Sequence, residues 1–280
     1  MNRVLLISFC FIVFFSCNDA VKINNDFSVP EDVVLGNNAL FNENYPKAKA
    51  CYLKAIKEHP DCAIAYNNLA ELYEIQELYD SSLFYFNLSL SIDSLNPYTF
   101  NNRGELFEVM GEYELSMQDF NRAIGIDSTF SIAYLNRGEL YLETHSLHLS
   151  MKDYNKAIQI NPNNPIFYNN RGDLKDINGD RLGAIDDFNK AIELDSLYGI
   201  AYVNRAFSKK LIHDLEGAMK DYNTAIVIDS LNPIFYFDRA ELRMEMSDNE
   251  GACEDWMKAR ELGFDISEYS SLIDSYCDSI

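Results

Sequence analysis

The chain has 280 residues, 48% of them hydrophobic and 24% charged, a composition that supports a folded protein rather than a disordered one. Acidic residues outnumber basic ones by 44 to 23, for a formal net charge of −21. That charge repels phosphates, which excludes nucleic acid and anionic membrane faces as expected partners and leaves a basic peptide, a cation or a neutral surface.

The first element in chain order is a sorting signal. Arg3 gives a thin positive start, and Val4 to Phe15 form a twelve-residue apolar run. Spanning a bilayer takes about 20 residues, so the run is too short for a retained membrane helix. It ends in FFSC, with small Ser16 directly before Cys17. This resembles a bacterial lipoprotein signal, in which the cysteine is lipidated and becomes the mature N-terminus, although Phe14 and Phe15 stand where that pattern prefers Leu and a small residue. The resemblance implies a signal peptide over 1–16, lipidation of Cys17, export, and attachment to the cell envelope. The other reading is an ordinary secretory signal with an incidental Cys17. Residues 17–28 read as a polar tether, and the N-terminal lipid is the one membrane contact expected.

From residue 29 the sequence repeats every 34 residues without an insertion, in units 29–62, 63–96, 97–130, 131–164, 165–198, 199–232 and 233–266. Position 4 of the unit is aromatic in six copies: Tyr66, Phe100, Tyr134, Tyr168, Tyr202 and Tyr236. Position 8 is always small, from Gly36 to Ala240, and position 20 is Ala or Ser. Position 24 is an aromatic in every copy, from Tyr52 to Trp256. Small residues at 8 and 20 let two antiparallel helices approach closely, and the aromatics fill the space beside them. A turn near positions 14–16, with Gly111 and Gly179, separates the two helices.

This pattern resembles the tetratricopeptide repeat, whose 34-residue helix-turn-helix unit carries a W-x-x-L-G-x-x-Y…A…F…P signature. The resemblance implies an all-α, right-handed superhelical solenoid of seven repeats, with the first helices lining a concave face. Residues 267–280 are expected to form a C-terminal capping helix, because Ile266, Tyr269, Ile273 and Tyr276 have amphipathic spacing.

Two pairings follow from the repeats. Arg at position 7 (Arg103, Arg137, Arg171, Arg205, Arg239) and Asp at position 23 (Asp119, Asp153, Asp187, Asp221, Asp255) occur in the same five units and are both missing from the first two. An Arg–Asp bridge between the two helices of one unit explains that joint switch. Cys253 takes the apolar position 21 of the last unit and Cys277 lies on the apolar side of the expected cap, so a Cys253–Cys277 disulfide is one expectation and two buried thiols the other. Cys51 and Cys62 are a poorer pair, since eleven helical residues separate them by about 16 Å.

The sequence holds no nucleophile–base set, zinc motif or phosphate loop, and calls for no cofactor or metal. His145 and His148 read as a surface pair, and DINGD (176–180) as an ordinary inter-helix turn rather than a calcium loop. The resemblance places positions 5, 6, 9, 12 and 13 in the groove. Position 6 supplies Asn68, Asn102, Asn136, Asn170 and Asn204, amides able to pair with an extended peptide backbone. Position 9 supplies Glu71, Glu105, Glu139 and Asp173, an acidic stripe that attracts Lys/Arg-bearing segments. A solvated acidic surface and a consensus asparagine are the plainer readings. The Lys clamp by which some members hold chaperone tails is missing: position 5 is Val33, Asn67, Asn101, Leu135, Asn169, Val203 and Phe237.

The expected function is therefore non-catalytic, a protein-interaction scaffold of the envelope that takes an extended or basic peptide in an acidic, Asn-lined groove. The alternative is binding of glycan or cell wall, for which only scattered aromatics (Phe41, Tyr98, Phe207, Phe237) are at hand. Asp-Ser-Leu or Asp-Ser-Thr triplets place Ser94, Ser128, Ser196 and Ser230 between units, and Ser279 stands in a final Asp-Ser-Ile. They resemble the sequon of an O-glycosylation system of exported bacterial proteins; the local alternative is that Asp and Ser serve the turns.

Overall fold

The computed structural model describes residues 29–265 together with Ile273 and Cys277. The signal segment 1–16, Cys17, the tether 17–28 and Ser279 lie outside the described residues. So does most of the expected cap, although Ile273 and Cys277 are both helical.

Fourteen α-helices and no strand occur among the described residues. The chain divides into two compact units, which meet between Asp127 and Ser128. In the first, α1 (Glu31–Phe41) pairs with α2 (Tyr45–Glu58), α3 (Ala63–Ile75) with α4 (Tyr79–Ile92), and α5 (Pro97–Val109) with α6 (Tyr113–Ile126). In the second, the pairs are α7 (Ser131–Glu143) with α8 (Leu147–Ile160), α9 (Pro165–Ile177) with α10 (Arg181–Leu194), α11 (Gly199–Leu211) with α12 (Leu215–Ile228), and α13 (Pro233–Glu245) with α14 (Asn249–Glu261). Each unit is a solenoid of stacked helical hairpins, and within it each first helix touches the first helix of a neighbouring hairpin, as α3 does with α1 and α5.

Local signals explain the helix ends. Asn96, Asn164 and Asn232 accept backbone N–H groups at the starts of α5, α9 and α13, and a proline follows each as the first helical residue. Asp180, Asp214 and Asp248 do the same for α10, α12 and α14, bonding the amides of Gly183, Gly217 and Gly251 at 3.0–3.1 Å. The turn inside every hairpin needs one left-handed residue. Position 15 has positive φ in all seven: Glu43, Glu77, Gly111, His145, Gly179, His213 and Ser247. Glycine is present in only two of them, so five turns hold a side chain in a conformation that costs L-residues about 1–2 kcal/mol.

The core sits between the two helices of each hairpin. Tyr52, Phe86, Phe120, Tyr154, Phe188, Tyr222 and Trp256 are all buried, each contributing roughly 1.5–3 kcal/mol by leaving water. A small residue opposite is required: a Cβ built on Gly104 would lie 2.7 Å from the Phe120 ring, and one on Gly172 2.6 Å from Phe188.

The expected Arg–Asp bridge is present in all five hairpins. Arg103 Nε donates to Asp119 at 2.7 Å and its Nη2 at 2.8 Å, a two-pronged contact repeated at Arg137–Asp153, Arg171–Asp187, Arg205–Asp221 and Arg239–Asp255. Each Arg also lies 5.3–5.7 Å from the position-4 ring of its own helix. The remaining Nη1 of Arg103, Arg171, Arg205 and Arg239 reaches back to Asn87, Asn155, Asn189 and Asn223 of the preceding hairpin, at 2.6–2.8 Å. One guanidinium thus ties the two helices of its hairpin and the hairpin before it. In the second hairpin, which lacks the ion pair, Tyr85 instead stacks on Tyr73 with ring centroids 5.4 Å apart.

At the C-terminal end, Cys253 and Cys277 are joined by a disulfide with their Cα atoms 5.7 Å apart. Cys51 and Cys62 are free thiols.

Candidate functional site

The first helices bring the expected asparagines and acids together, and the contacts between them follow one rule. The position-6 amide of one hairpin donates to the position-9 side chain of the hairpin before it. In the first unit Asn68 donates to Asn37 at 2.7 Å and Asn102 to Glu71, whose other hydrogen bond comes from Asn67 at 2.7 Å. Asn101 lies within 3.4 Å of both Asn102 and Glu105. In the second unit Asn170 donates to Glu139, and Asn204 to Asp173 at 3.1 Å and to Asn169 at 3.0 Å. Asn68, Asn136 and Asn204 are buried, whereas Asn102 and Asn170 are half-buried. The ladder therefore uses amide hydrogens to hold neighbouring hairpins in register, and the acids are its acceptors.

This arrangement sets the electrostatics of the face. Burial pushes the Glu71 carboxyl up to about 7, against the opposing pull of the Asn67 and Asn102 amides. Burial, followed by the charge of Glu71, pushes Glu74 up to about 8. Burial and the nearby Glu143 lift Glu139 to about 7, again against the amide of its partner, Asn170. Amides satisfy these carboxyls without neutralising them, so near neutral pH they share protons. A cation brought to the face would supply the missing countercharge and expel the protons.

Other sequence candidates resolve into structural roles. His145 and His148 are exposed, and His145 is the left-handed turn residue of its hairpin. Within DINGD, Asp176 accepts the Ser208 hydroxyl at 2.8 Å, Gly179 makes the turn and Asp180 caps α10. Among the described residues no group of three or more His, Cys, Asp or Glu is placed to hold a metal, and no helix is long and apolar enough to cross a membrane. Ser94, Ser128, Ser196 and Ser230 are exposed. Asp93, Asp195 and Asp229 accept the N–H groups of Leu95, Leu197 and Leu231, so the turn itself uses the acid of each of these three triplets. Of the scattered aromatics, Phe41 is exposed, while Phe237 is buried against Phe264 with ring centroids 4.7 Å apart.

Sequence reasoning missed the role of position 5. Asn67, Asn101 and Asn169 are buried links in the ladder, and their one signal was the repeated Asn-Asn pair at positions 5 and 6.

Models of the tetratricopeptide repeat match residues 33–97, 98–130 and 166–196, and a model of the TPR repeat matches 147–175. Together these cover just over half of the 280 residues. Among solved structures, a tetratricopeptide repeat protein from Parabacteroides merdae ATCC 43184 aligns with TM-score 0.67 at 19% identity, over 88% of this chain and 98% of that one. PilF of Pseudomonas aeruginosa aligns with TM-score 0.64 at 19% identity, over 76% of this chain and 96% of that one. The APC/C hetero-tetramer Cut9–Hcn1 contains a chain that aligns with TM-score 0.72 at 13% identity, over 87% of this chain and 52% of that one. At these identities the likeness is one of fold. No curated protein matches the chain.

Proposed function

We propose, starting from the fact that this chain belongs to the tetratricopeptide repeat proteins, that it is a non-catalytic scaffold binding an extended, Lys/Arg-bearing segment of another protein along its acidic, Asn-lined face. Proteins of this family generally mediate contacts between proteins, through a long surface rather than a catalytic cleft. The observation that carries the basic-segment reading is the Glu71–Glu74 pair, two enclosed carboxyls whose neighbours are amides and each other. A lysine or arginine side chain satisfies both the charge and the open lone pairs of such a site.

The scaffold is proposed to act in the envelope, held by a lipid on Cys17. The exposed hydroxyls of Ser94, Ser128, Ser196 and Ser230 are then open to O-glycosylation.

A labelled peptide alternating Lys or Arg with small residues, titrated by calorimetry in buffers of different ionisation enthalpy, tests the binding reading. Binding with release of protons at pH 7 is expected, together with loss of both in Glu71→Gln/Glu74→Gln. Equal binding by that variant, with helicity intact, would remove the acidic face from the mechanism. For the anchor, Cys17→Ser is expected to move the protein from the detergent phase to the aqueous phase; unchanged partitioning would sink the lipid.

A further inference from the structure

The geometry points to a redox latch at the C-terminal end: the Cys253–Cys277 disulfide holds the C-terminal segment over the last hairpin, and its reduction uncovers the apolar surface beneath. The surface is recognisable by comparison within the second unit. In the sixth hairpin, Val203, Ala206, Ala218, Tyr222 and Ala225 form the bed on which Phe235 and Leu242 of α13 rest. The same five positions of the seventh hairpin are Phe237, Ala240, Ala252, Trp256 and Ala259. There Ile273 is buried in the place of the incoming helix, with Phe264 and the half-buried Cys277 beside it. The bed that elsewhere seats the next hairpin is thus covered here by the C-terminal segment. Cys277, one helical turn from Ile273, is bonded to Cys253 on α14 itself.

The bond closes a loop of 24 residues, and loop-closure entropy makes a tether of that length worth on the order of a hundredfold in favour of the covered state. The chemistry needs a dithiol reductant. One of its thiolates attacks a sulfur of the bridge to give a mixed disulfide, and its second thiol displaces the chain. The reductant leaves as a disulfide, and Cys253 and Cys277 gain two electrons and two protons as free thiols.

Trp256 is the single tryptophan of the chain and lies 3% exposed in this bed, so it reports directly on the latch. The experiment takes the full chain, maps its disulfide by peptide mass spectrometry without reductant, then follows Trp256 emission, acrylamide quenching and helicity as dithiothreitol is added. A bridged Cys253–Cys277 peptide is expected. Reduction should shift Trp256 emission to the red and raise its quenching severalfold while most helicity remains. Cys277→Ser should show the same open signature without reductant and no response to it. Free thiols at both positions in the exported protein would overturn the latch, as would a Trp256 that stays shielded after proven reduction. Loss of all helicity in both the reduced chain and Cys277→Ser would also overturn it, since the bridge would then be a global staple.

Discussion

The Arg–Asp bridges supply a test with its control built into the chain. Asp153 and Asp187 are both buried and each is gripped by two nitrogens of its arginine, yet their surroundings differ at position 11. There the fifth hairpin has Lys175, 2.7 Å from Asp187, while the fourth has Tyr141, and Arg137 is the one cation on Asp153 among the described residues. Leu is the natural replacement for the arginine, because Leu35 and Leu69 occupy that position in the first two hairpins. Arg137→Leu leaves a buried carboxylate without a countercharge, which costs about 3–5 kcal/mol. Arg171→Leu removes a two-pronged pair and the bond to Asn155 but leaves Lys175 in place, for a loss of about 1.5–3 kcal/mol. The expected difference is therefore roughly 2 kcal/mol.

Urea unfolding of the full chain followed by circular dichroism reads that difference as a gap in midpoints at constant slope. Repeat arrays do not always unfold in one step, so hydrogen exchange in α7–α8 and α9–α10 gives a local reading beside it. Adding Asp153→Tyr to Arg137→Leu, which imitates the Leu69/Tyr85 pair of the second hairpin, should recover most of the loss. Equal losses in the two single variants, with no recovery in the double, would refute the view that Asp153 depends on a single cation.

Three further outcomes are expected. Ser82, Ser116 and Ser150 bury hydroxyl oxygens without a hydrogen-bond partner where other hairpins have Ala48, Ala184, Ala218 and Ala252, so Ser116→Ala should raise stability by about 1 kcal/mol in urea unfolding. His145→Gly should stabilise by about 0.5 kcal/mol, as relief of left-handed strain outweighs glycine's greater chain entropy; a loss would show that the side chain is doing something else. Because the folded-state carboxyls of Glu71 and Glu74 lie above the ordinary 4.5, the folded chain holds their protons more tightly than the unfolded one, and stability falls as pH rises from about 4.5 to about 8. Glu71→Gln should flatten that fall by about 1 kcal/mol, below the ~3 kcal/mol that unscreened burial implies, and parallel pH–stability curves would sink this account.

What was legible in the sequence is what one hairpin needs by itself. Gly104 against Phe120 recurs as small-against-large at a fixed spacing, because each copy meets the same steric demand. Arg103 and Asp119 were readable as partners because both change together in the first two copies. Contacts between hairpins were harder to read, since the register across the stack is not written in any one unit. The 31-residue steps from Asn102 to Glu71 and from Asn170 to Glu139 are of this kind, as are the bonds from Arg103 to Asn87 and from Arg171 to Asn155. The left-handed residue at position 15 was hidden for another reason: glycine marks it in only two of seven copies, and Glu77 or His145 there looks like any surface residue.

The ladder also decides which residues can test the face. An asparagine facing only solvent could be replaced by alanine with little harm to the stack. Asn102 and Asn170 instead supply amide hydrogens to Glu71 and Glu139, so their removal strips enclosed carboxyls of partners and loosens adjacent hairpins together. Loss of binding in such variants would not separate recognition from register. The acids do separate the two. Gln in place of Glu71 keeps an acceptor for Asn67 or Asn102 while deleting the charge, so a basic segment loses its countercharge and the hairpins keep their hydrogen bond. A face built this way binds through charge that its own amides hold in place, and Glu71→Gln should weaken a Lys/Arg peptide without weakening the fold at pH 7.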